Sequence, residues 1–311
     1  MARVLILGVT GALGSFTYDY FRHHTRHEVR GTVRPSSRDV AAKFFQDDPL
    51  LSFEAGKADV RSLLQGDTPD YIINCIGIIN KPAFTQDDVQ KVASSLRVNS
   101  VFPYSLTEAC ANRGTKIVQI ATDCVYSGSR GEYTENDVHD ALDIYGQTKS
   151  LGEVHEERFL NIRCSFVGPE IHHELSLLEW FLSQPDGANV SGYMHHRWNG
   201  VTSLQYAQLC SQIIDKGDDF FRRIVRTSYV HHYIPNGSVT KRELLESMAT
   251  SFKKKCTVVP AETGPAIDRT LATVHHDLLK TAQVGAYPMQ RAIGDLYDYL
   301  RNEKLYQRRF S

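Results

Sequence analysis

The sequence predicts an α/β protein built on a doubly wound parallel sheet, with a smaller mixed α/β domain towards the C-terminus. Between residues 3 and 164, short apolar runs rich in β-branched residues alternate with segments of helical length. This is the pattern of parallel strands joined by crossover helices. A glycine-rich turn connects the first apolar run to the first helical segment. The alternation weakens after Gly168-Pro169, so we expect the second domain to begin there.

The strands are predicted from short apolar runs bounded by glycine, proline or polar residues. Tyr71–Cys75 is mostly apolar and contains two adjacent isoleucines, as expected for an internal strand of a parallel sheet. The six predicted strands are Arg3–Leu7, Glu28–Val33, Leu51–Ala55, Tyr71–Cys75, Lys116–Ala121 and Leu160–Cys164.

The helices are predicted from apolar periodicity and from residues typical of helix ends. Gly114 is expected to follow a long helix. Ser238 or Thr240 is expected to cap a helix that has Glu243 in its first turn. The other predicted helices cover Ala12 to about His24, Val89–Asn112, Tyr145 to about Arg158, Leu175–Leu182 and Val201–Ile214.

Charge and composition exclude several classes of partner. The 311 residues carry a formal net charge of −1, which gives no reason to expect nucleic acid or a membrane surface as partner. The longest apolar run, Tyr71–Ile79, is interrupted by Asn74 and Gly77 and is far shorter than the roughly 20 residues of a membrane span. With no recognisable secretory signal and six scattered cysteines without a CxxC pair, we expect a cytoplasmic protein with reduced thiols and no metal site.

The stretch Gly8-Val-Thr-Gly11-Ala-Leu-Gly14 follows the first strand and opens the first helix. Such a turn directs backbone N–H groups and the positive end of a helix at a pyrophosphate. The same spacing also occurs in turns that are only structural. The predicted cofactor residues of the turn are Gly8, Thr10, Gly11, Ala12, Leu13 and Gly14.

The residue after the second strand indicates which dinucleotide is bound. An NAD site would carry Asp or Glu there, whereas Arg34 offers a guanidinium fork to the 2′-phosphate of NADP. We therefore predict NADP(H) as cofactor. Further predicted cofactor contacts, near the phosphate, the adenine and the strand end respectively, are Ser36, Ser37 and Arg38, then Asp59 and Val60, then Cys75, Ile76 and Gly77.

The catalytic group is predicted from Tyr145-Gly-Gln-Thr-Lys149. Tyr145 and Lys149 are four residues apart and share one face of a helix. A nearby ammonium is expected to lower the tyrosine pKa, so that Tyr145 can act as an acid, and Lys149 could also hold the nicotinamide ribose. Thr122, at the end of the fifth strand, could bond a substrate carbonyl.

These residues resemble the extended short-chain dehydrogenase/reductases. Asn99 matches the helix asparagine of that pattern, and the resemblance implies that it belongs to the cofactor site. The stretches Ala121–Gly128, Tyr133–Glu135 and Ile144–Lys149 are most similar to the dTDP-4-dehydrorhamnose reductase branch. Residues 1–168, with returning segments at about 200–235, would then form the NADP-binding domain, and residues 169–199 and 236–311 the substrate-binding domain.

The resemblance implies an NADPH-dependent reductase of the C4 keto group of a nucleotide-linked 4-keto-6-deoxyhexose, in deoxysugar biosynthesis for a surface polysaccharide or glycan. Tyr145 would protonate the alkoxide, Thr122 would polarise the carbonyl, and Lys149 would support Tyr145. Members of this family often pair through long helices, and the predicted helices Val89–Asn112 and Tyr145–Arg158 could form such a homodimer interface, while the oligomeric state stays open. The predicted substrate residues are Asp123, Cys124, Ser165, Arg197, Trp198 and Asn199.

Other activities stay open on this sequence. The related 4,6-dehydratases carry Thr-Asp-Glu where this chain has Thr122-Asp-Cys124, so dehydration is not expected. Cys124, with His172, His173 or His195, could make the enzyme a combined 3,5-epimerase and 4-reductase. A different class is an NADP-binding regulatory subunit similar to the β subunit of methionine adenosyltransferase. A reductase of another carbonyl, such as a steroid or flavonoid, is a further alternative.

Overall fold

A parallel sheet dominates the computed structural model, which describes residues 1–46, 48–66, 68–79, 88–172, 175–282, 287–303 and 305–306. In these residues the sheet has seven strands, and every neighbouring pair is parallel. The strands are β1 (Arg3–Leu7), β2 (Glu28–Val33), β3 (Leu50–Ser52), β4 (Tyr71–Asn74), β5 (Lys116–Ala121), β6 (Phe159–Arg163) and β11 (Val230–His232).

The strand order is β11-β6-β5-β4-β1-β2-β3. The chain winds outward in one direction from β1 to β3 and in the other from β4 onward, so the order switches between β1 and β4. In a sheet of this kind, ligands bind at the carboxyl ends of the strands beside the switch point. The predicted doubly wound, Rossmann-like sheet is therefore confirmed.

Helices cover both faces of the sheet because successive side chains of a strand point to opposite faces. Val4 and Ile6 pack in the larger apolar core, while Leu5 and Leu7 pack in the second core. The helices of the first half are α1 (Ala12–His24), α2 (Arg38–Phe44), α3 (Val89–Ser95), α4 (Phe102–Cys110) and α5 (Ile144–Leu151).

The second half contains short strands outside the large sheet. They form three small sheets, ordered β10-β7, β12-β9-β14 and β13-β8. These strands are β7 (Phe166–Val167), β8 (Asn189–Tyr193), β9 (His196–Trp198), β10 (Val201–Thr202), β12 (Val239–Thr240), β13 (Thr257–Ala261) and β14 (Ile267–Asp268). The helices are α6 (Leu177–Leu182), α7 (Ser203–Asp215), α8 (Gly217–Thr227), α9 (Lys241–Phe252), α10 (Asp277–Thr281) and α11 (Met289–Asn302).

Several predicted elements agree with the structure. The bounds of β1, α1, β2 and β5 match the predicted ranges. Thr240 caps α9 through a reciprocal capping box with Glu243, one of the two predicted caps. The return of the chain to the large sheet at β11 is compatible with the predicted segment at about 200–235, but the division into two domains stays a prediction.

Other predicted elements are wrong in length. The helix expected from Tyr145 to about Arg158 ends at Leu151, where Gly152 provides the C-cap. A side chain at Gly152 would place its Cβ 1.8 Å from the Asn99 carbonyl oxygen, so glycine here allows two backbones to touch. The helix expected over Val89–Asn112 is interrupted by a π-helical segment, Leu96–Val101.

Smaller corrections concern the second half and β3. Residues 175 and 176 lie before α6, and residues 201 and 202 form β10 before α7. The strand expected over Leu51–Ala55 covers Leu50–Ser52. Helices α8, α10 and α11 were not predicted. In the described part of the chain, no helix is both long and apolar enough to cross a bilayer.

Candidate active site

The glycine turn, residues 8–14, connects β1 to α1 beside the switch point of the sheet. Gly8 has φ +85°, a conformation that only glycine adopts at low cost. Gly8 N donates to Thr32 Oγ1 at 3.0 Å, which fixes the turn against β2. A Cβ at Gly14 would lie 2.1 Å from the Gly8 carbonyl oxygen, so this glycine lets α1 approach β1.

The first turn of α1 is prepared to receive an anion. Gly11 is its N-cap, no side chain caps the helix, and the first turn carries no acidic residue. Its N–H groups are therefore left for a ligand. Thr10 and Leu13 are buried, while Gly11 is exposed and Ala12 is half-buried. This arrangement fits the predicted pyrophosphate cradle.

The residues predicted to hold the 2′-phosphate lie together after β2. Arg34 is exposed and its Nη2 donates to Ser37 Oγ at 3.4 Å. Ser36 and Arg38 are exposed and Ser37 is buried. The guanidinium is exposed to solvent, and an arginine stands where an NAD site typically has a carboxylate.

Of the predicted residues after β3 and β4, Ile76 lies against the glycine turn, whereas Asp59 makes a local contact. Asp59 Oδ1 accepts from Arg61 N at 3.0 Å and caps a short 3₁₀ helix, Val60–Leu64. Its side chain therefore has one local role besides the predicted adenine contact. Cys75 and Ile76 are half-buried, and Ile76 Cγ1 lies 2.9 Å from where a Cβ of Gly8 would be.

Asn99 links the end of β4 to the catalytic helix. Its Oδ1 accepts from Ile78 N at 2.8 Å, and its Nδ2 donates to Ile78 O at 2.9 Å and to Thr148 Oγ1 at 3.1 Å. The side chain sits in the π-helical segment, a local irregularity that is frequent at functional sites. These bonds hold the backbone at Ile78 and helix α5 together.

Thr122 and Tyr145 meet at the carboxyl end of β5. Thr122 lies close enough to the Tyr145 hydroxyl to influence its pKa, while Thr122 Oγ1 donates to Asp123 Oδ1 at 3.3 Å and accepts from Cys124 N at 3.1 Å. Burial raises the pKa of Tyr145 well above its usual range, Cys124 adds to the rise, and the bond with Thr122 partly opposes it. The phenol is therefore neutral near pH 7 and carries a proton that it can give.

The environment of Lys149 differs from the prediction in one respect. Its Nζ donates to Ile120 O at 2.8 Å, and burial lowers its pKa to about 8, while Glu153 favours the charged form. The expected lowering of the Tyr145 pKa by Lys149 is wrong for this arrangement, because burial dominates at the phenol. Lys149 instead ties α5 to β5.

Asp123 and Cys124 continue the chain from Thr122. Asp123 is buried, and desolvation raises its pKa, while Arg269 opposes the rise. Cys124 Sγ donates to Asp123 Oδ1 at 3.5 Å, and burial, followed by Asp123, raises the pKa of the thiol to about 12. A neutral thiol is a poor base, so this environment does not favour the epimerase alternative.

The histidines named for that alternative do not join Cys124 in a described contact. The His195 ring lies against Tyr193 and His196, with centroids 5.9 and 4.7 Å away. His172 is half-buried, and His173 lies outside the described residues.

Asn199 corrects another prediction. Its Nδ2 donates to Leu271 O at 2.7 Å and its Oδ1 accepts from Leu271 N at 2.9 Å. Asn199 is buried, so both polar atoms already serve the backbone. We reassign it from substrate binding to holding Leu271 in place.

The remaining predicted substrate residues lie around β9 and the end of β6. Arg197 Nη2 donates to Ser238 Oγ at 2.9 Å. Trp198 packs against the large core and over Gly200, where a Cβ would lie 2.3 Å from the indole ring. Ser165 is half-buried, and its carbonyl accepts from Val201 N at 2.8 Å.

The sequence analysis missed Arg269. Its Nε donates to Tyr126 O at 3.1 Å, and its charge influences both Asp123 and Cys124. No local motif marks this residue, which is far from Thr122 in sequence, and only the tertiary fold brings them together. In the described residues, no group of three or more His, Cys, Asp or Glu side chains forms a metal site.

The seven-stranded parallel sheet, with Thr122 after β5 and with Tyr145 and Lys149 on α5, agrees with the resemblance to the extended short-chain dehydrogenase/reductases. The family model described as "RmlD substrate binding domain" matches residues 2–174. The chain therefore belongs to the RmlD substrate binding domain family.

Known proteins of two kinds are similar to the chain. Methionine adenosyltransferase 2 subunit beta of Mus musculus is 33% identical over 262 residues, which are 80% of this chain and 72% of that protein. A dTDP-4-dehydrorhamnose reductase of Aggregatibacter actinomycetemcomitans is 30% identical over 156 residues, 49% of this chain and 46% of that protein.

A solved dTDP-4-dehydrorhamnose reductase from Bacillus anthracis, in complex with NADP, has the same fold. It superimposes with a TM-score of 0.68 at 16% identity and covers 96% of this chain and 99% of its own.

Proposed function

We propose that this chain is an NADPH-dependent reductase of the C4 keto group of a nucleotide-linked 4-keto-6-deoxyhexose. One observation carries the proposal. Thr122, at the carboxyl end of β5, lies close to the Tyr145 hydroxyl, and Lys149, on the same helix as Tyr145, bonds the Ile120 carbonyl of β5. The similarity to dTDP-4-dehydrorhamnose reductases supports the choice of substrate class.

The protonation states suit reduction rather than oxidation. A carbonyl that gains a hydride becomes an alkoxide and needs a proton. Because burial keeps the Tyr145 phenol neutral, it holds that proton over the whole physiological range. Thr122 is within reach of the same substrate oxygen and can donate a second hydrogen bond, which stabilises the developing negative charge.

The cofactor assignment rests on the residues that would hold each part of NADPH. The uncapped first turn of α1 fits the pyrophosphate, and Arg34 with Ser37 fits a 2′-phosphate. Lys149 would bond the nicotinamide ribose. Its ammonium has three N–H donors, and the described bond to the Ile120 carbonyl uses one of them. The bound cofactor would supply the hydride.

The test follows NADPH absorbance with a panel of nucleotide-linked 4-keto-6-deoxyhexoses, each made in situ by a matching 4,6-dehydratase. Oxidation with one carrier nucleotide is expected. Tyr145→Phe should lower kcat by about 10²- to 10⁴-fold, the usual contribution of a positioned acid. Tyr104→Phe, which alters an exposed tyrosine of α4, is the matched control and should leave kcat unchanged.

A second candidate is an NADP-binding regulatory subunit. The 33% identity to methionine adenosyltransferase 2 subunit beta over most of this chain favours it. The same assay separates the two functions. Tight NADPH binding without oxidation by any keto sugar would contradict the reductase, and would be followed by a test for stimulation of a methionine adenosyltransferase catalytic subunit.

A further inference from the structure

A buried ion pair lies at the end of the helix that carries Tyr145. Arg163, the last residue of β6, donates from Nε to Glu153 Oε1 at 2.7 Å and from Nη2 to Glu153 Oε2 at 2.6 Å. Arg163 is 3% exposed and Glu153 is 6% exposed. Two parallel bonds of this kind fix the orientation of both groups as well as their distance. Because Glu153 lies two residues after α5 ends at Leu151, the pair fastens the end of this helix to β6.

The opposite edge of the guanidinium holds the turn that follows β5. Arg163 Nη1 donates to Tyr126 Oη at 2.8 Å, and the Arg163 Cζ lies 5.6 Å from the centre of the Tyr126 ring. Tyr126 N donates to Asp123 O at 3.0 Å, so Tyr126 closes the turn that begins after Thr122. Arg163 therefore joins the two segments that carry the proposed chemistry, the turn after Thr122 and the helix with Tyr145.

A third contact of Arg163 reaches the neighbouring strand. Its Nη1 lies 3.2 Å from His232 Nε2 on β11, and His232 Nδ1 lies 2.6 Å from the Ala272 carbonyl oxygen. A histidine that donates from Nδ1 has a free lone pair at Nε2, which can accept from Arg163. A buried ion pair contributes little more stability than apolar residues of the same size. What this pair does contribute is a fixed geometry between the segments that it joins.

Glu153 also places a negative charge close to Lys149. Among the groups that favour the charged form of Lys149, Glu153 contributes most, followed by the thiols of Cys75 and Cys164. Burial raises the pKa of both thiols, so they are neutral near pH 8. Loss of the Glu153 charge should therefore lower the pKa of Lys149.

We propose that Glu153 and Arg163 are positioning residues of the proposed reductase, which hold the Tyr145 helix against the turn after Thr122 and set a negative charge beside Lys149. Neither residue needs to touch the substrate for this role. A small displacement of the phenol from the substrate oxygen slows proton transfer, whereas the cradle for the cofactor, on β1 and α1, stays as it is. The inference rests on the proposed function, because it requires the reaction that Thr122 and Tyr145 would carry.

The test measures kcat, the KM for NADPH and the pH profile of kcat/KM with the keto sugar that the wild-type chain reduces. The double variant Glu153→Gln/Arg163→Met removes both charges, so that neither is left buried without its partner. At pH 6.5, kcat is expected to fall by about 10- to 100-fold, while the KM for NADPH stays within about twofold. The basic limb that Lys149 produces should move to lower pH by about one unit.

Two conservative variants separate geometry from charge. Glu153→Asp and Arg163→Lys keep the charges but lose the two parallel bonds. Both should lower kcat and leave the basic limb where it is. Glu156→Gln, which breaks the Glu156–Arg158 ion pair in the same loop, is the matched control and should change neither kcat nor the limb.

A folded double variant with the wild-type kcat overturns the inference and leaves the proposed function standing. A lower kcat with an unmoved limb also overturns it, because general damage to the fold would have that effect. Retained NADP⁺ affinity shows that a variant is folded. If the double variant is not folded, the conservative variants decide, and a wild-type kcat in either overturns the inference. If the wild-type chain oxidises NADPH with no keto sugar, the proposed function fails and the inference falls with it.

Discussion

Lys149 Nζ donates a 2.8 Å hydrogen bond to the carbonyl of Ile120, so the side chain that would hold the nicotinamide ribose also ties α5 to β5. The bond places the ammonium beside the end of β5, two residues before Thr122. Because the side chain is buried, its pKa falls to about 8. The site therefore contains a lysine that loses its charge just above physiological pH.

The first prediction concerns pH. As pH rises through about 8, Lys149 loses its proton. The value of kcat/KM for NADPH should therefore fall along a basic limb with an apparent pKa near 8. Lys149→Arg, which stays charged, should abolish the limb even if the rate is lower. Lys241→Met is the matched control, since burial lowers the pKa of Lys241 to about 8 as well, but this lysine opens α9 rather than lying on α5 with Tyr145. Persistence of the limb in Lys149→Arg would contradict the assignment.

The second prediction concerns residues 267–273, called the strap below, which form backbone hydrogen bonds with the loop that follows β5. Asn199→Ala removes both hydrogen bonds to buried Leu271 and leaves its N–H and C=O unpaired. We expect a loss of about 1–3 kcal/mol in the free energy of unfolding and faster hydrogen exchange across residues 267–273. Asn189→Ala, at an exposed position of β8, should change neither. Protection of the strap equal to wild type would show that Asn199 does not hold it.

Much of the first half could be predicted because its signals are local. The bounds of β1, α1, β2 and β5 match, since apolar runs and glycine mark where each element begins and ends. Gly152 marks the end of α5, but the largely polar residues 153–158 are also compatible with a helix, and the predicted range therefore continues to about Arg158. The structure shows why the helix stops: Gly152 sits directly against the Asn99 backbone.

The rest depends on contacts that no short pattern encodes. Strands β9, β12 and β14 have two or three residues each, too few for an alternation to show. Asn199 is a polar residue next to Trp198, which favours a role in substrate binding. In the structure, its amide oxygen and nitrogen instead bond the backbone of Leu271 in the strap. The contact of Arg269 could not be predicted from the sequence, because the loop that accepts its hydrogen bond lies more than a hundred residues away along the chain.

The third prediction uses Asp19 of α1. Burial raises its pKa to about 7, and Glu303 and Asp48 add to the rise. The pKa of Asp19 is higher in the folded chain than in the unfolded chain, so the folded chain keeps the proton to a higher pH. The free energy of unfolding therefore falls as pH rises from about 4 to 7. Asp19→Asn should therefore be more stable than wild type, by about 1–3 kcal/mol at pH 8 and less at pH 5.5. Denaturant unfolding at both pH values checks this, and an equal effect at the two would contradict it.

The fourth prediction concerns close backbone approach. Gly14→Ala would place a Cβ 2.1 Å from the Gly8 carbonyl oxygen. Neither α1 nor β1 can yield without losing core packing, so we expect a loss of more than about 2 kcal/mol in the free energy of unfolding. Gly237→Ala has no atom within 4 Å of the new Cβ and should change stability by less than about 0.5 kcal/mol. A well-folded Gly14→Ala chain would show that the two elements can move apart.

The last prediction separates the two nicotinamide cofactors. Arg34 is exposed after β2 and bonds Ser37 weakly, at 3.4 Å, so its guanidinium is available to a 2′-phosphate. Arg34→Ala should weaken NADPH binding by about 10- to 100-fold through loss of a charge-assisted contact. NADH lacks the phosphate, and its binding should stay within about twofold, because an exposed arginine that makes one long hydrogen bond contributes little. Arg26→Ala, also exposed but before β2, should affect neither cofactor. Calorimetric titration of both cofactors gives the ratio. An equal loss for NADPH and NADH would mean that Arg34 supports the fold of the site rather than recognising the phosphate.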